Sequence, residues 1–147
     1  EAVFSTGVSA AESANLVRTL ADMPANELRP ASYLDRIRKL GREWGAKVEF
    51  FDQKALAKRG ANAFLAVVRA EPDETYGIAK LSYRPKGKTS GRKVALVGKG
   101  LCFDTGGYNI KAGEYMLDMH RDMTGSAVAL GLFGHLVRSG SRDEIEC

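Results

Sequence analysis

The chain of 147 residues is 44% apolar and 27% charged, enough for one sizeable core and not the make-up of a disordered segment. Its 22 Lys and Arg against 18 Asp and Glu leave +4, too mild an excess to point to nucleic acid unless concentrated, and two cysteines, Cys102 and Cys147, make no disulfide framework. No apolar run reaches the roughly 18 residues that cross a membrane and no signal-peptide pattern follows Glu1, so a soluble, cytoplasmic domain is expected.

Ser9-Ala-Ala-Glu12 has the form of a capping box, a hydroxyl and a carboxylate placed to satisfy the free amides of a helix start. Leu16, Val17 and Leu20 follow at helical spacing, and Pro24 closes that helix near Met23. A second helix follows Pro30, with Leu34, Ile37, Leu40 and Trp44 on one face and Gly45 as its stop. Lys47 to Phe51 reads as a short strand and Gln53 to Lys58 as a short helix. Ala63 to Val68 is a continuous apolar run of the kind found in buried sheet, so a strand is expected there. Ile78 to Tyr83 alternates, with Ala79, Leu81 and Tyr83 on one side and Lys80 and Ser82 on the other. Lys93 to Gly98 reads as a further buried strand. A last helix, about Thr124 to Val137, carries Val128, Leu132 and Leu136 on one stripe and ends at Gly140. The order α-α-β-α-β-β-β-α predicts an α/β fold, a mixed, mostly parallel sheet flanked by helices.

Residues 84 to 93 hold five positive charges between two strands and read as a solvated connecting loop, with a polyanion site as the alternative. Gly87-Lys88-Thr89 resembles the tail of a phosphate loop, but Ser82 stands where that loop needs Gly, and a strand follows instead of a helix.

The chemistry concentrates between Val97 and Ala127, at the carboxyl end of a strand, where open α/β sheets place their ligands. Gly98, Gly100, Gly106 and Gly107 allow tight turns and close approach to a bound group. Among them lie Lys99, Asp104, Lys111 and Asp122. Two carboxylates and an amine suit a hard divalent cation, provided the amine is neutral and its pKa depressed. The same residues allow another reading: Asp104 caps a glycine turn, Asp122 is the N-cap of the last helix, and both lysines are solvated. Gly98-Lys-Gly100-Leu-Cys-Phe103 lacks the third glycine of a dinucleotide fingerprint. His120 reads as a packed or surface residue and Cys102 as a small buried apolar one.

The stretch Val-Gly-Lys-Gly-Leu-Cys-Phe-Asp-Thr-Gly-Gly-Tyr-Asn-Ile-Lys, followed by Met-Leu-Asp-Met-His-Arg-Asp-Met-Thr-Gly-Ser-Ala, resembles the signature of the leucyl aminopeptidase family, the two-metal exopeptidases also called the M17 peptidases. The resemblance extends to Pro24-Ala-Asn-Glu-Leu-Arg-Pro30 and to Gly60 through Ala70, where the family has a similar strand. The intervals Lys99–Asp104–Lys111–Asp122, of five, seven and eleven residues, match the family's. This implies a metal-dependent aminopeptidase that releases leucine-like amino-terminal residues from peptides, using hydroxide generated by two divalent ions, Zn²⁺ or Mn²⁺. Lys99, Asp104 and Asp122 correspond to ligands of the more loosely held ion, with Asp104 bridging to the second. Lys111 corresponds to the catalytic lysine that meets the substrate carbonyl oxygen, and Met119 to a wall of the pocket for the first side chain. Lys111, Asp122 and Met119 thus face substrate.

On that resemblance the chain divides into residues 1–8 as leader, 9–45 as helical lead-in, 46–98 as sheet segment, 99–122 as metal-binding loop and 123–147 as helix and tail. Cys102, Thr105, Tyr108, Asn109, Ala112 and Glu114-Tyr115 depart from the usual pattern without removing a ligand. The family's downstream motif, Asn-Thr-Asp-Ala-Glu-Gly-Arg, is absent. The expectation is therefore an amino-terminal half of a catalytic domain, completed by a second polypeptide or a missing segment, in a homo-oligomer that is a hexamer by resemblance. A catalytically silent scaffold or regulatory subunit that retains the fold is the alternative.

Overall fold

In the computed structural model, which describes residues 2–71 and 75–147, the first element is helix α1 (Ala2–Ala21), followed by α2 (Pro30–Glu43). Pro30 opens α2 at a position whose amide has no helical partner in any case. Strand β1 (Lys47–Asp52) runs directly into helix α3 (Gln53–Lys58), where Asp52 Oδ1 accepts the Ala55 amide at 2.8 Å as an N-cap. Then come α4 (Asn62–Val67), β2 (Gly77–Tyr83), β3 (Lys93–Ala95), the 3₁₀ turns Gly113–Met116 and Met119–Arg121, α5 (Thr124–Arg138) and β4 (Glu144–Glu146).

The sheet has the order β1-β2-β4-β3. β1 and β2 pair antiparallel from Lys47 opposite Ser82 to Asp52 opposite Gly77. Gly77 is required there, because a Cβ would lie 2.3 Å from the Phe51 carbonyl oxygen. As the alternation predicts, Leu81 turns into the core with Ala79 and Tyr83. Lys80 instead meets Glu49 at 3.5 Å and Glu146 at 3.3 Å. β4 inserts between β2, to which it is antiparallel, and β3, to which it is parallel. The sheet is mixed, as expected, but among the described strands it is not mostly parallel. Its parallel pairing spans the β3–α5–β4 crossover, the long connection that parallel neighbours need.

Four local expectations are corrected. Of residues 63–68, 63–67 lie in helix α4 and Val68 caps it, with no strand, because so short an apolar run cannot distinguish the two; Val67 is left exposed. β3 stops at Ala95 instead of Gly98, as the chain leaves the sheet to lie on α5. α1 starts at Ala2 and absorbs the segment read as a leader, so Ser9 and Glu12 sit inside a helix and cap nothing. They serve the α1–α5 seam: Arg138 donates to Ser13 Oγ at 2.7 Å and to the Ser9 carbonyl at 3.2 Å, with Glu12 at 3.7 Å. Finally, the Val128–Leu132 stripe of α5 is largely exposed, and the face carrying Ala127, Leu130 and Phe133 is buried.

That buried face closes one core with Leu20, Leu28, Tyr33, Ile37, Trp44, Leu81, Met123 and Ile145. Gly131 and Gly134 let it approach closely, since a Cβ would lie 2.7 Å from Val17 and 2.5 Å from the Trp44 ring, respectively. Residues 84–92 form the expected connecting loop, but they are fastened. The Ser90 amide donates to the Arg142 carbonyl at 2.8 Å, the Ser90 hydroxyl pairs with Asp143, and Arg92 grips both oxygens of Asp143 at 3.1 and 2.9 Å. No helix among the described residues is long and apolar enough to cross a membrane.

Candidate functional site

Beyond Ala95 the chain crosses the first turn of α5. Gly98 touches the helix backbone, where a Cβ would lie 2.5 Å from the Gly125 oxygen, and the Ser126 amide donates to the Lys99 carbonyl at 2.8 Å. Tyr33, from α2, meets the Ser126 hydroxyl at 2.8 Å. Lys99 is thereby held beside the residues that precede α5.

Asp104 lies at the head of a tight loop. Its Oδ1 accepts the Gly106 amide at 2.8 Å, as the turn-capping reading expects, and its Oδ2 is 3.4 Å from Lys111 Nζ. The loop closes through the Lys111 amide, which donates to the Thr105 carbonyl at 2.9 Å. Gly106 and Gly107 take φ values of 85° and 66°, a region that side chains rarely enter, and this lets the chain fold back. The Gly106 amide, and after it Lys111 and Lys99, hold the Asp104 carboxyl below the usual carboxylate range.

Asp122 sits between the second 3₁₀ turn and α5, immediately before Met123, which is fully buried. It is not the helix cap: Met123 occupies that position, and the Thr124 hydroxyl donates to the Arg121 carbonyl at 2.6 Å. The buried Asp122 Oδ2 has no hydrogen-bond donor in proper geometry. It is 2.7 Å from Lys99 Nζ in an ion-pair contact. The pairing with Asp122 raises the Lys99 pKa, the reverse of what a ligand amine needs, so Lys99 here is an ammonium counter-ion.

The structure thus brings together Lys99 with Asp122 and Lys111 with Asp104, so neither lysine is simply solvated. Two carboxylates, one with a buried oxygen faced by the Lys99 ammonium, fit a hard divalent cation in their chemistry. Among the described residues no three His, Cys, Asp or Glu side chains converge. Met119 is half-buried in the second 3₁₀ turn, behind Asp118 at φ 61°. His120 is half-buried in the same turn. Burial pushes the Cys102 thiol up to about 11, consistent with a packed, neutral residue. Tyr33 and Ser126 escaped the sequence reading, because only the fold brings α2 to this loop.

The profile described as the cytosol aminopeptidase family, catalytic domain, matches residues 15–147. A probable cytosol aminopeptidase of Persephonella marina is 39% identical over 123 residues, which are 84% of this chain and 24% of that protein. One of Synechococcus elongatus is 40% identical over 132 residues, 89% and 27% respectively. Among solved structures, the leucyl aminopeptidase of Trypanosoma cruzi superimposes with a TM-score of 0.87 at 33% identity, over 95% of this chain and 27% of that one. A bottromycin maturation enzyme in complex with Mn gives 0.84 at 30% identity, over 96% and 30%. The chain spans about a quarter of the length of the curated relatives it matches.

Proposed function

Since the chain belongs to the cytosol aminopeptidase family, we propose that it supplies part of a metal-dependent aminopeptidase site that removes leucine-like residues from the amino end of peptides in the cytoplasm. One observation carries this reading: the quartet Lys99, Asp104, Lys111 and Asp122 meets as two ion pairs beyond the carboxyl end of β3.

Lys99, Asp104 and Asp122 would hold one divalent ion, and Asp104 would share a second. Zn²⁺ and Mn²⁺ are the candidates, and a pair of such ions lowers the pKa of water and stabilises developing negative charge. Asp122 offers the buried Oδ2, which Lys99 Nζ approaches to 2.7 Å. Asp104 keeps one oxygen on the Gly106 amide and presents Oδ2 to Lys111 at 3.4 Å. Lys111 is anchored through its own backbone to Thr105. Its ammonium would donate to the substrate carbonyl oxygen as that atom gains charge, a contribution of roughly 3 to 4 kcal/mol. Met119 would wall the pocket for the first side chain. The remaining carboxylates would come from a second polypeptide or further segment, in a hexamer of the completed unit.

A second reading, a catalytically silent scaffold, draws on the incomplete donor set among the described residues. The test is hydrolysis of leucine amide with and without Mn²⁺ or Zn²⁺, and metal bound per chain, for the protein purified with whatever polypeptide accompanies it. Lys111→Ala is expected to lower kcat by about 10² to 10³ with metal content unchanged. Equal rates for the variant and the parent would sink the role of Lys111. Metal-independent rates at background would favour the scaffold.

A further inference from the structure

Ser126 uses both of its polar groups on the backbones beside the two donors that flank it. Its amide donates to the Lys99 carbonyl at 2.8 Å, and its hydroxyl donates to the carbonyl of Met123, next to Asp122, at 2.7 Å. A hydroxyl has one proton. With that proton on the Met123 oxygen, the 2.8 Å contact between Tyr33 and Ser126 has one polarity: the Tyr33 hydroxyl donates and Ser126 Oγ accepts.

Tyr33 is well suited to this task. It is 5% exposed and sits in the core beside Ile37 and Trp44, so α2 fixes its ring. Burial pushes its hydroxyl up to about 12, which keeps the donated proton in place at any ordinary pH. The loop side is equally tight. Gly98 lies where a Cβ would be 2.5 Å from both the Gly125 oxygen and Ser126 Cα, and a Cβ on Gly100 would lie 3.3 Å from Ser126 Oγ.

We infer that Tyr33 and Ser126 are positioning residues: their hydroxyls, linked to each other and to the Met123 carbonyl, fix the first turn of α5, whose Ser126 amide holds the Lys99 carbonyl, and so set the separation of Lys99 and Asp122. The inference rests on the metal-site reading above for its consequence, but the clamp itself is a property of this chain. Partners that orient ligands from behind typically change metal affinity by about 10 to 100-fold when removed.

The experiment compares the parent chain with Tyr33→Phe, Ser126→Ala and Asp122→Asn in two measurements. Mn²⁺ binding, followed by the electron paramagnetic resonance of the free ion, should weaken about 10-fold in Ser126→Ala, less in Tyr33→Phe, and most in Asp122→Asn. Amide hydrogen exchange at Ser126 should accelerate in Tyr33→Phe while exchange at Leu130, deeper in α5, stays at the parent rate. A role in general stability alone would speed both amides together, and that result overturns the inference. So does Mn²⁺ affinity unchanged in both clamp variants when the parent binds. If the parent binds no Mn²⁺, the metal-site reading fails, and the exchange data alone decide the clamp: selective acceleration at Ser126 upholds it, and parent-like exchange refutes it.

Discussion

Phe133 lies within α5 and Asp122 just before its start, and the two are held in place in different ways. In the layer formed by α1, α5 and Trp44, Phe133 is fully buried and lies 6.0 Å from Trp44 between ring centroids. Its position follows from removing apolar surface from water. The stretch of residues 96–122 has the 3₁₀ turn Gly113–Met116 as its longest regular element and leaves Tyr108, Ile110, Tyr115 and Leu117 exposed. There, individual hydrogen bonds and ion pairs set the geometry. A packed layer tolerates little change of volume, whereas a loop held by polar contacts tolerates surface change but not the loss of a specific donor.

The contrast can be broken by experiment. Phe133→Ala should cost about 3 to 5 kcal/mol in urea unfolding, because the cavity lies at the junction of α5 and Trp44. A loss below about 1 kcal/mol would mean that the layer relaxes as readily as the loop. The two cysteines sharpen the comparison. Burial pushes both Cys102, in the loop, and Cys147, beside the sheet, up to about 11. At pH 8 the scarcity of thiolate should slow alkylation of the folded chain about 100-fold relative to the unfolded one. Cys102 should be the faster of the two; Cys147 reacting first would place the weaker packing in the sheet.

Asp143 tests the fastened loop of residues 84–92. The Ser90 hydroxyl, and then Arg92, hold its carboxyl below the usual range, so the folded state favours the charged form. That contribution is complete above the ordinary carboxylate pKa and is lost as pH falls through the lowered folded value. Protection of the Ser90 amide, its exchange rate compared with that of an unstructured amide at the same pH, should therefore fall on acidification below about pH 4, and protection that is constant there would show the loop fastened by other means. The smallest effect is expected for Tyr108→Ser, within about 0.5 kcal/mol of the parent, since that ring touches water on all sides.

Much of the layer was legible in the sequence because its signals are periodic. Pro30, the apolar face through Trp44 and the stop at Gly45 delimit α2, and Gln53–Lys58 is the helix observed. The six-residue apolar run at 63–68 lacked the length to show a period. β4 was invisible because Glu-Ile-Glu offers one apolar residue between two charges. Ile145 earns its burial only through partners distant in the chain, Leu81 among them. In the site, the intervals of the quartet were legible but the pairing was not. Which lysine faces which carboxylate depends on the fold-back at Gly106 and the crossing at Gly98, and neither leaves a mark in spacing.

The placement of β4 also bears on the order of assembly. Among the described strands β3 pairs with β4 alone, and Leu96 reaches the sheet through the Glu146 carbonyl. The strand that launches Lys99 therefore has nothing to register against until α5 has formed and swung residues 144–146 back between β2 and β3. Closing so long a loop is entropically slow compared with closing the shorter connection, through α3 and α4, that joins β1 to β2, and with forming the helices. The quartet of Lys99, Asp104, Lys111 and Asp122 should thus be the last part of the molecule to take shape, and the first to lose it when the chain begins to open.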